Sequence, residues 1–338
     1  MFICNENVFD MMLSTRNVSV WILYIMCTQI KMTLNSVIAL LTLAACIIPT
    51  ACGNPPKLLL ISMDGFKHDY LSLPALKPEH INNFQYFIDN GVKADQVINV
   101  FPTVTYPNHF SLITGLYPES HGVVHNRFYD PDPRVKDTFW YDNRRDNFDP
   151  VWFDVGAEPI YVTNQKAGKD RRSGSALWPC GLGKVKGIAP NNIIYDADPF
   201  SHINFTKLVD TVIEWYTDEI DPINLGLLYF DEPDETGHRH GAGSDQVVQM
   251  IIKLNDVLGH LFDRLKEEKL GDEINIILTA DHGFANVTEM VSLSDYGIYE
   301  GRDYNSSSQF LNHITEQLYT NNVTGKPNRE MHIYFCFF

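Results

Sequence analysis

The chain predicts an α/β fold, a mostly parallel sheet covered by helices on both faces. Three observations carry that prediction. Short apolar runs of strand character alternate along the chain with longer segments of helical spacing, the pattern of βαβ units. Three of the runs, LLLISM, INLGLLYFDEP and EINIILTA, are followed by acidic clusters: Asp64-Gly65, Asp234 to His238, and Asp281-His282-Gly283. With 338 residues, 44% of them apolar, the chain has enough material for one large core.

Taken in order, Lys57 to Met63 reads as a buried parallel strand, a short apolar run ended by Asp-Gly. Pro78 to Asp89 fits a helix with Ile81, Phe84 and Ile88 on one face and Gly91 just past its end. Gln96 to Phe101 is strand-like. Thr105, Tyr106 and Pro107 then spell a helix start, with Thr105 as the cap and proline in the first turn. The stretch from Phe128 to Gly187, rich in proline, glycine, aromatics and charge, is expected to be irregular structure around the site. Phe205 to Trp215 and Gln246 to Glu268 carry helical spacing, the second through Val247, Ile251, Leu254, Leu258, Leu261 and Leu265. No internal repeat is visible.

Residues 1–52 differ from the rest and are expected to form an N-terminal extension, with residues 53–338 as the working domain. Val18 to Ile30 is apolar, Lys31 interrupts, and Thr33 to Cys52 is a second apolar run. Read from Met32, the second run resembles a signal peptide cleaved near Ala51 or Cys52. The rival reading is an uncleaved membrane tether, since about twenty apolar residues span a bilayer. Downstream, only Cys180 and Cys336 remain, so a single disulfide is open and a disulfide framework is excluded. Asn204, Asn286, Asn305 and Asn322 each head an N-glycosylation triplet, which favours the secretory pathway, with a secreted or extracellular location. The net charge of −16, without a basic block, argues against binding duplex nucleic acid.

In open α/β sheets, ligands bind outside the carboxyl ends of the strands. The three acidic turns should therefore meet at one edge, although they lie far apart in the chain. Asp234 and His238, four apart, are brought together by one helical turn or a tight loop; Asp281 and His282 need a turn, which Gly283 permits. Each pair alone is an ordinary turn. Three at strand ends of one sheet edge offer carboxylate and imidazole ligands together, a set that suits catalytic zinc.

The run from Phe101 to Phe110 (FPTVTYPNHF), the run from Thr114 to Gly122 (TGLYPESHG), Glu232 to His238 (EPDETGH) and Asp281-His282-Gly283 resemble the ectonucleotide pyrophosphatase/phosphodiesterase family, of the alkaline-phosphatase-like superfamily. The motifs lie in family order across about Lys57 to Gly283. The resemblance implies an alkaline-phosphatase-like fold and two zinc ions. Thr105 would be the nucleophile and a ligand of one zinc, together with Asp64, Asp281 and His282. Asp234 and His238 would hold the second zinc. Asn126 would donate to a phosphate oxygen. Tyr106 and Trp178 would line a nucleobase pocket, its opposite face coming from Tyr195 or Phe200. Sulfatases of the same superfamily need Cys or Ser followed by Pro and Arg, whereas Thr105 is followed by Pro107 and His109, so sulfate esters are disfavoured.

The reaction so implied is hydrolysis of a nucleotide phosphodiester or pyrophosphate through a phospho-threonine, releasing a nucleoside monophosphate. Small phosphodiesters would be the partners; choline phospholipids are the alternative substrate class in the family. In the family a further histidine of the second zinc follows in an Asn-His-Gly-like segment, which is missing after Gly283. His313 and His332 lie in a different context. A catalytic domain incomplete at its C-terminus, lacking its last elements and one zinc ligand, is therefore expected, and an inactive or weakly active binding protein is the rival reading.

Overall fold

The computed structural model describes residues 56–195 and 204–286. The N-terminal extension, Phe200, Asn305, Asn322, His313, His332 and Cys336 lie outside the described residues. Strand β1 (Lys57–Met63) opens the fold as predicted. The predicted helix 78–89 is divided into a 3-10 turn, Pro78–His80, and helix α1 (Asn82–Asp89). The division has a cause. The buried Asn255 side chain accepts hydrogen bonds from the backbone N–H groups of Asn83 and Phe84, at 2.8 and 3.2 Å, and so starts a new helix there.

Segment 96–101 is not a strand. Val97, Ile98 and Phe101 are exposed, and the backbone is held by one side chain instead of a ladder. Asn108 Oδ1 accepts from the Val100 N–H at 2.8 Å, while its Nδ2 donates to the carbonyls of Pro102 and Val104. Helix α2 (Thr105–Thr114) follows, capped by the extended residue Val104 and not by Thr105, which is its first helical residue.

The stretch expected to be irregular is more ordered than its composition indicates. After the short helix α3 (Pro118–His121), it holds an antiparallel hairpin of β2 (Arg127–Asp130) and β3 (Asp137–Trp140), and helices α4 (Arg144–Phe148), α5 (Pro150–Phe153) and α6 (Ile160–Lys166). It also contains a true sheet strand, β4 (Ser173–Ala176), before β5 (Asn192–Ile194). Serine and glycine have weak strand propensity, so β4 is invisible to pattern. Packing explains it: a Cβ on Gly174 would lie 2.5 Å from the Trp215 ring, and all four residues of the strand are buried. Helix α7 (Phe205–Thr217), strand β6 (Leu225–Phe230), helices α8 (Asp234–His240) and α9 (Asp245–Glu267), and strand β7 (Ile274–Thr279) complete the described fold.

The five main strands are all parallel in the order β5-β4-β6-β1-β7. Alternate residues of a strand face opposite sides. Leu59, Ile61 and Met63 of β1 accordingly pack with α7 and α9, through Val212, Ile213, Ile251, Leu254 and Leu258. Leu60 faces the other layer, where Phe110 of α2, Phe139, Phe153, Tyr161 and Trp178 meet. Cys180 sits in this second layer as a buried free thiol. Among the described residues no helix is long and apolar enough to cross a membrane. The predicted parallel sheet, covered on both faces, is the fold.

Candidate metal centre and active site

β6, β1 and β7 are neighbours and point the same way, so their three acidic turns lie side by side at one sheet edge. The β1 turn is bonded to both of the others. Its Asp64 carbonyl accepts the Asp234 N–H at 3.1 Å, and the Gly65 N–H donates to Asp281 Oδ1, also at 3.1 Å. Gly65 is required here. Its φ is +65°, and an added Cβ would lie 2.8 Å from Asp234 Oδ1.

Asp64 and Asp281 are buried, each 2% exposed. The Tyr229 hydroxyl donates to Asp64 Oδ2 at 2.5 Å. Asp281 Oδ1 accepts from the Gly65 and His282 N–H groups, the second at 2.8 Å. Three carboxylate oxygens, Asp64 Oδ1, Asp234 Oδ1 and Asp281 Oδ2, are buried without a hydrogen-bond partner among the described residues. His282 Nδ1 is fixed 2.9 Å from the Gly283 carbonyl, leaving Nε2 3.2 Å from Asp281 Oδ2 and 3.4 Å from Asp64 Oδ1. His238 Nε2 lies 3.2 Å from Asp234 Oδ2, as the four-residue spacing on α8 predicts.

The electrostatics call for a cation. Burial, then the charges of Asp281 and Asp234, holds the Asp64 carboxyl well above the usual carboxylate range. Burial pushes Asp281 up to about 7, against the opposing bond from Gly65. His238 is raised by its hydrogen bond to Asp234. Carboxylates crowded and desolvated in this way are costly when ionised, unless a positive charge sits among them. Asp64, Asp234 and His282 present ligand atoms within 4.8 Å of one another, so the two expected ligand groups occupy one shared space. A metal ion fits this donor set.

Thr105, half-buried, begins α2, whose first turn carries partial positive charge. Asn126 Oδ1 accepts the Tyr106 N–H at 2.8 Å, which leaves its amide N–H groups as donors. Two of the expected pocket aromatics are deeply packed. Trp178 is wholly buried, its indole N–H aimed 3.4 Å from the His109 carbonyl. Tyr106 is 8% exposed, and its hydroxyl donates to Asn147 Oδ1 at 2.6 Å, so its ring is core between Phe139 and Tyr141. The more open aromatic surface nearby is Tyr141, which is 49% exposed, with Phe148 and Tyr195 in edge contact at 5.3 Å beneath the Arg144 guanidinium. Arg144, Arg145 and Phe148 line an open cavity of about 440 Å³.

Sequence reasoning assigned no role to Tyr229, Ser62 or His109. The ring of His109 is buried against Ser62 Oγ and the Thr105 carbonyl, both at 2.9 Å. The available signal was its spacing, four residues after Thr105 on one helix face.

Residues 58–329 match the family model described as type I phosphodiesterase/nucleotide pyrophosphatase. The chain is 38% identical over 247 residues to bis(5'-adenosyl)-triphosphatase enpp4 of Xenopus laevis, covering 72% of this chain and 51% of that protein. It is 36% identical over 272 residues to human ectonucleotide pyrophosphatase/phosphodiesterase family member 5, covering 78% and 54%. Among solved structures it is similar to murine ectonucleotide pyrophosphatase/phosphodiesterase 5, an inactive threonine-to-alanine variant in complex with AMP. That match has a TM-score of 0.60 and 39% identity, and covers 68% of this chain and 57% of the other. The chain thus spans about half the length of the curated relatives it matches. With its parallel sheet and its acidic turns in family order, the chain belongs to the type I phosphodiesterase/nucleotide pyrophosphatase family, with an alkaline-phosphatase-like fold.

Proposed function

We propose that this domain hydrolyses nucleotide phosphodiester or pyrophosphate bonds, with Thr105 as nucleophile and zinc as the metal. The observation that carries the reading is the set of three buried carboxylate oxygens, without a hydrogen-bond partner among the described residues, gathered with His282 at three adjacent strand ends. Asp64, Asp281 and His282 would hold one zinc with Thr105; Asp234 and His238 would contribute to a second. Mixed carboxylate and imidazole donors favour zinc over magnesium or calcium, which take oxygen ligands. When bound, zinc supplies Lewis acidity that favours the threonine alkoxide and neutralises charge on the phosphate.

The chain's own residues do the rest. Thr105 Oγ loses its proton to solvent and attacks phosphorus, and the bond to the leaving oxygen breaks as the new P–O bond forms. The nucleotide is then held on Thr105 until water attacks the same phosphorus and releases the nucleoside monophosphate. The Asn126 amide donates to a non-bridging oxygen, where negative charge grows. Tyr195, with Tyr141 and Phe148, supplies the apolar faces for a base. Support for a nucleotide substrate comes from the murine relative, solved with AMP, and support for a threonine nucleophile from the inactivity of its threonine-to-alanine variant. A secretory or extracellular location, with N-glycans at exposed Asn204 and Asn286, follows from the leader-like N-terminus and the triplets.

The test is hydrolysis of a chromogenic nucleoside monophosphate ester before and after exhaustive chelation. Activity should vanish with the metal and return with added zinc. Full activity in the chelated protein contradicts the reading.

A further inference from the structure

His109 lies beneath the metal centre without belonging to it. Its Nδ1 is 2.9 Å from the Thr105 carbonyl oxygen and 3.5 Å from Asp281 Oδ2, while Nε2 is 2.9 Å from Ser62 Oγ. The Thr105 carbonyl at Nδ1 can only accept, so Nδ1 carries the hydrogen and Nε2 accepts from the Ser62 hydroxyl. The ring is wholly buried, so its hydrogen bonds are made to these groups and not to water. The edges of Trp178 and Tyr229 close on the ring with centroids at 5.2 and 5.0 Å.

His109 could be mistaken for a ligand, because its nitrogen falls within 4.8 Å of ligand atoms of Asp64 and Asp281. With both nitrogens engaged, no lone pair is left for a cation. At 3.5 Å the approach to Asp281 is electrostatic, and Oδ2 stays available to a metal.

We propose that His109 is a positioning residue, which fixes the first turn of α2 against Asp281 through the Nδ1–H that faces both the Thr105 carbonyl and Asp281 Oδ2. The ring thereby sets the nucleophile and a metal-holding carboxylate at one spacing, with Ser62 of β1 enforcing the tautomer. The inference rests on the functional reading above for its consequence, but the contact itself does not. Groups of this kind behind metal ligands change metal affinity by about 10–100-fold when replaced.

The test uses two substitutions of similar size. His109→Asn keeps an amide N–H where Nδ1–H stands; His109→Gln places its amide at the Nε2 end. Zinc affinity is measured by competition with a chromophoric chelator. His109→Asn should bind zinc within about threefold of the parent, and His109→Gln about tenfold or more weakly. Equal affinities in the two variants, or a better-binding Gln variant, would overturn the proposal. Nitrogen-15 spectra of the imidazole in the metal-free parent give an independent readout that survives misfolding of either variant. The Nδ1–H tautomer is expected, and the Nε2–H tautomer refutes the contact. A parent that binds no zinc but shows Nδ1–H sinks the catalytic reading and leaves the positioning contact standing.

Discussion

At the scale of the residue, the site is defined by what its carboxylates lack. Asp64 keeps one oxygen on the Tyr229 hydroxyl and leaves the other unpartnered among the described residues. Asp281 does the same, with two backbone N–H groups on Oδ1. Each carboxylate is thus oriented by the protein through one oxygen and free to meet a cation through the other. Tyr229→Phe should remove the orienting bond on Asp64 while preserving the ring. Zinc affinity by chelator competition should fall about tenfold or more, the scale expected when a group orienting a metal ligand is lost. Unchanged affinity would show that Asp64 is held by its backbone alone.

Elements explain why these residues meet. The strand order β6-β1-β7 puts three sequence-distant turns next to each other, at a spacing of about 4.8 Å per strand. That much was legible from acidic residues ending apolar runs. Tyr229 and Ser62 were not: Tyr229 reaches Asp64 through the parallel register of β6 and β1, and Ser62 meets His109 only because α2 packs against β1. The same limit applies to β4, which burial dictates, and to the break before α1, which a side chain from α9 imposes. Asn255→Ala tests that last point. It would strand the Asn83 and Phe84 N–H groups and should cost about 2–3 kcal/mol in urea unfolding, with the hydrolysis rate little changed. A neutral effect on stability would mean the helix start is set by α1 itself. Tyr106 and Trp178 show the converse limit: their sequence context gives no sign of how deeply their rings are packed.

Over the whole molecule, the cluster couples folding to metal and to pH. Asp64 and Asp281 have folded-state values raised above the ordinary carboxylate value by burial, so their protonated forms are favoured in the metal-free fold. A raised value contributes stability below the unfolded value near 4, which is lost as pH rises through about 7, where Asp281 ionises. Zinc reverses the sign, because it binds the ionised carboxylates and must displace those protons. The rise in Tm on adding zinc should therefore grow from pH 5 to pH 8, as scanning calorimetry in the two states can measure. A shift that shrinks over that range would place the metal elsewhere.

The central claim, that Thr105 carries the nucleotide during turnover, is tested most directly by peptide mass spectrometry of the zinc-loaded protein quenched in acid during hydrolysis. The account predicts a nucleoside monophosphate adduct on the peptide containing Thr105, lost in Thr105→Ala together with the activity. An adduct on another residue, or turnover at the parent rate by Thr105→Ala, would contradict it.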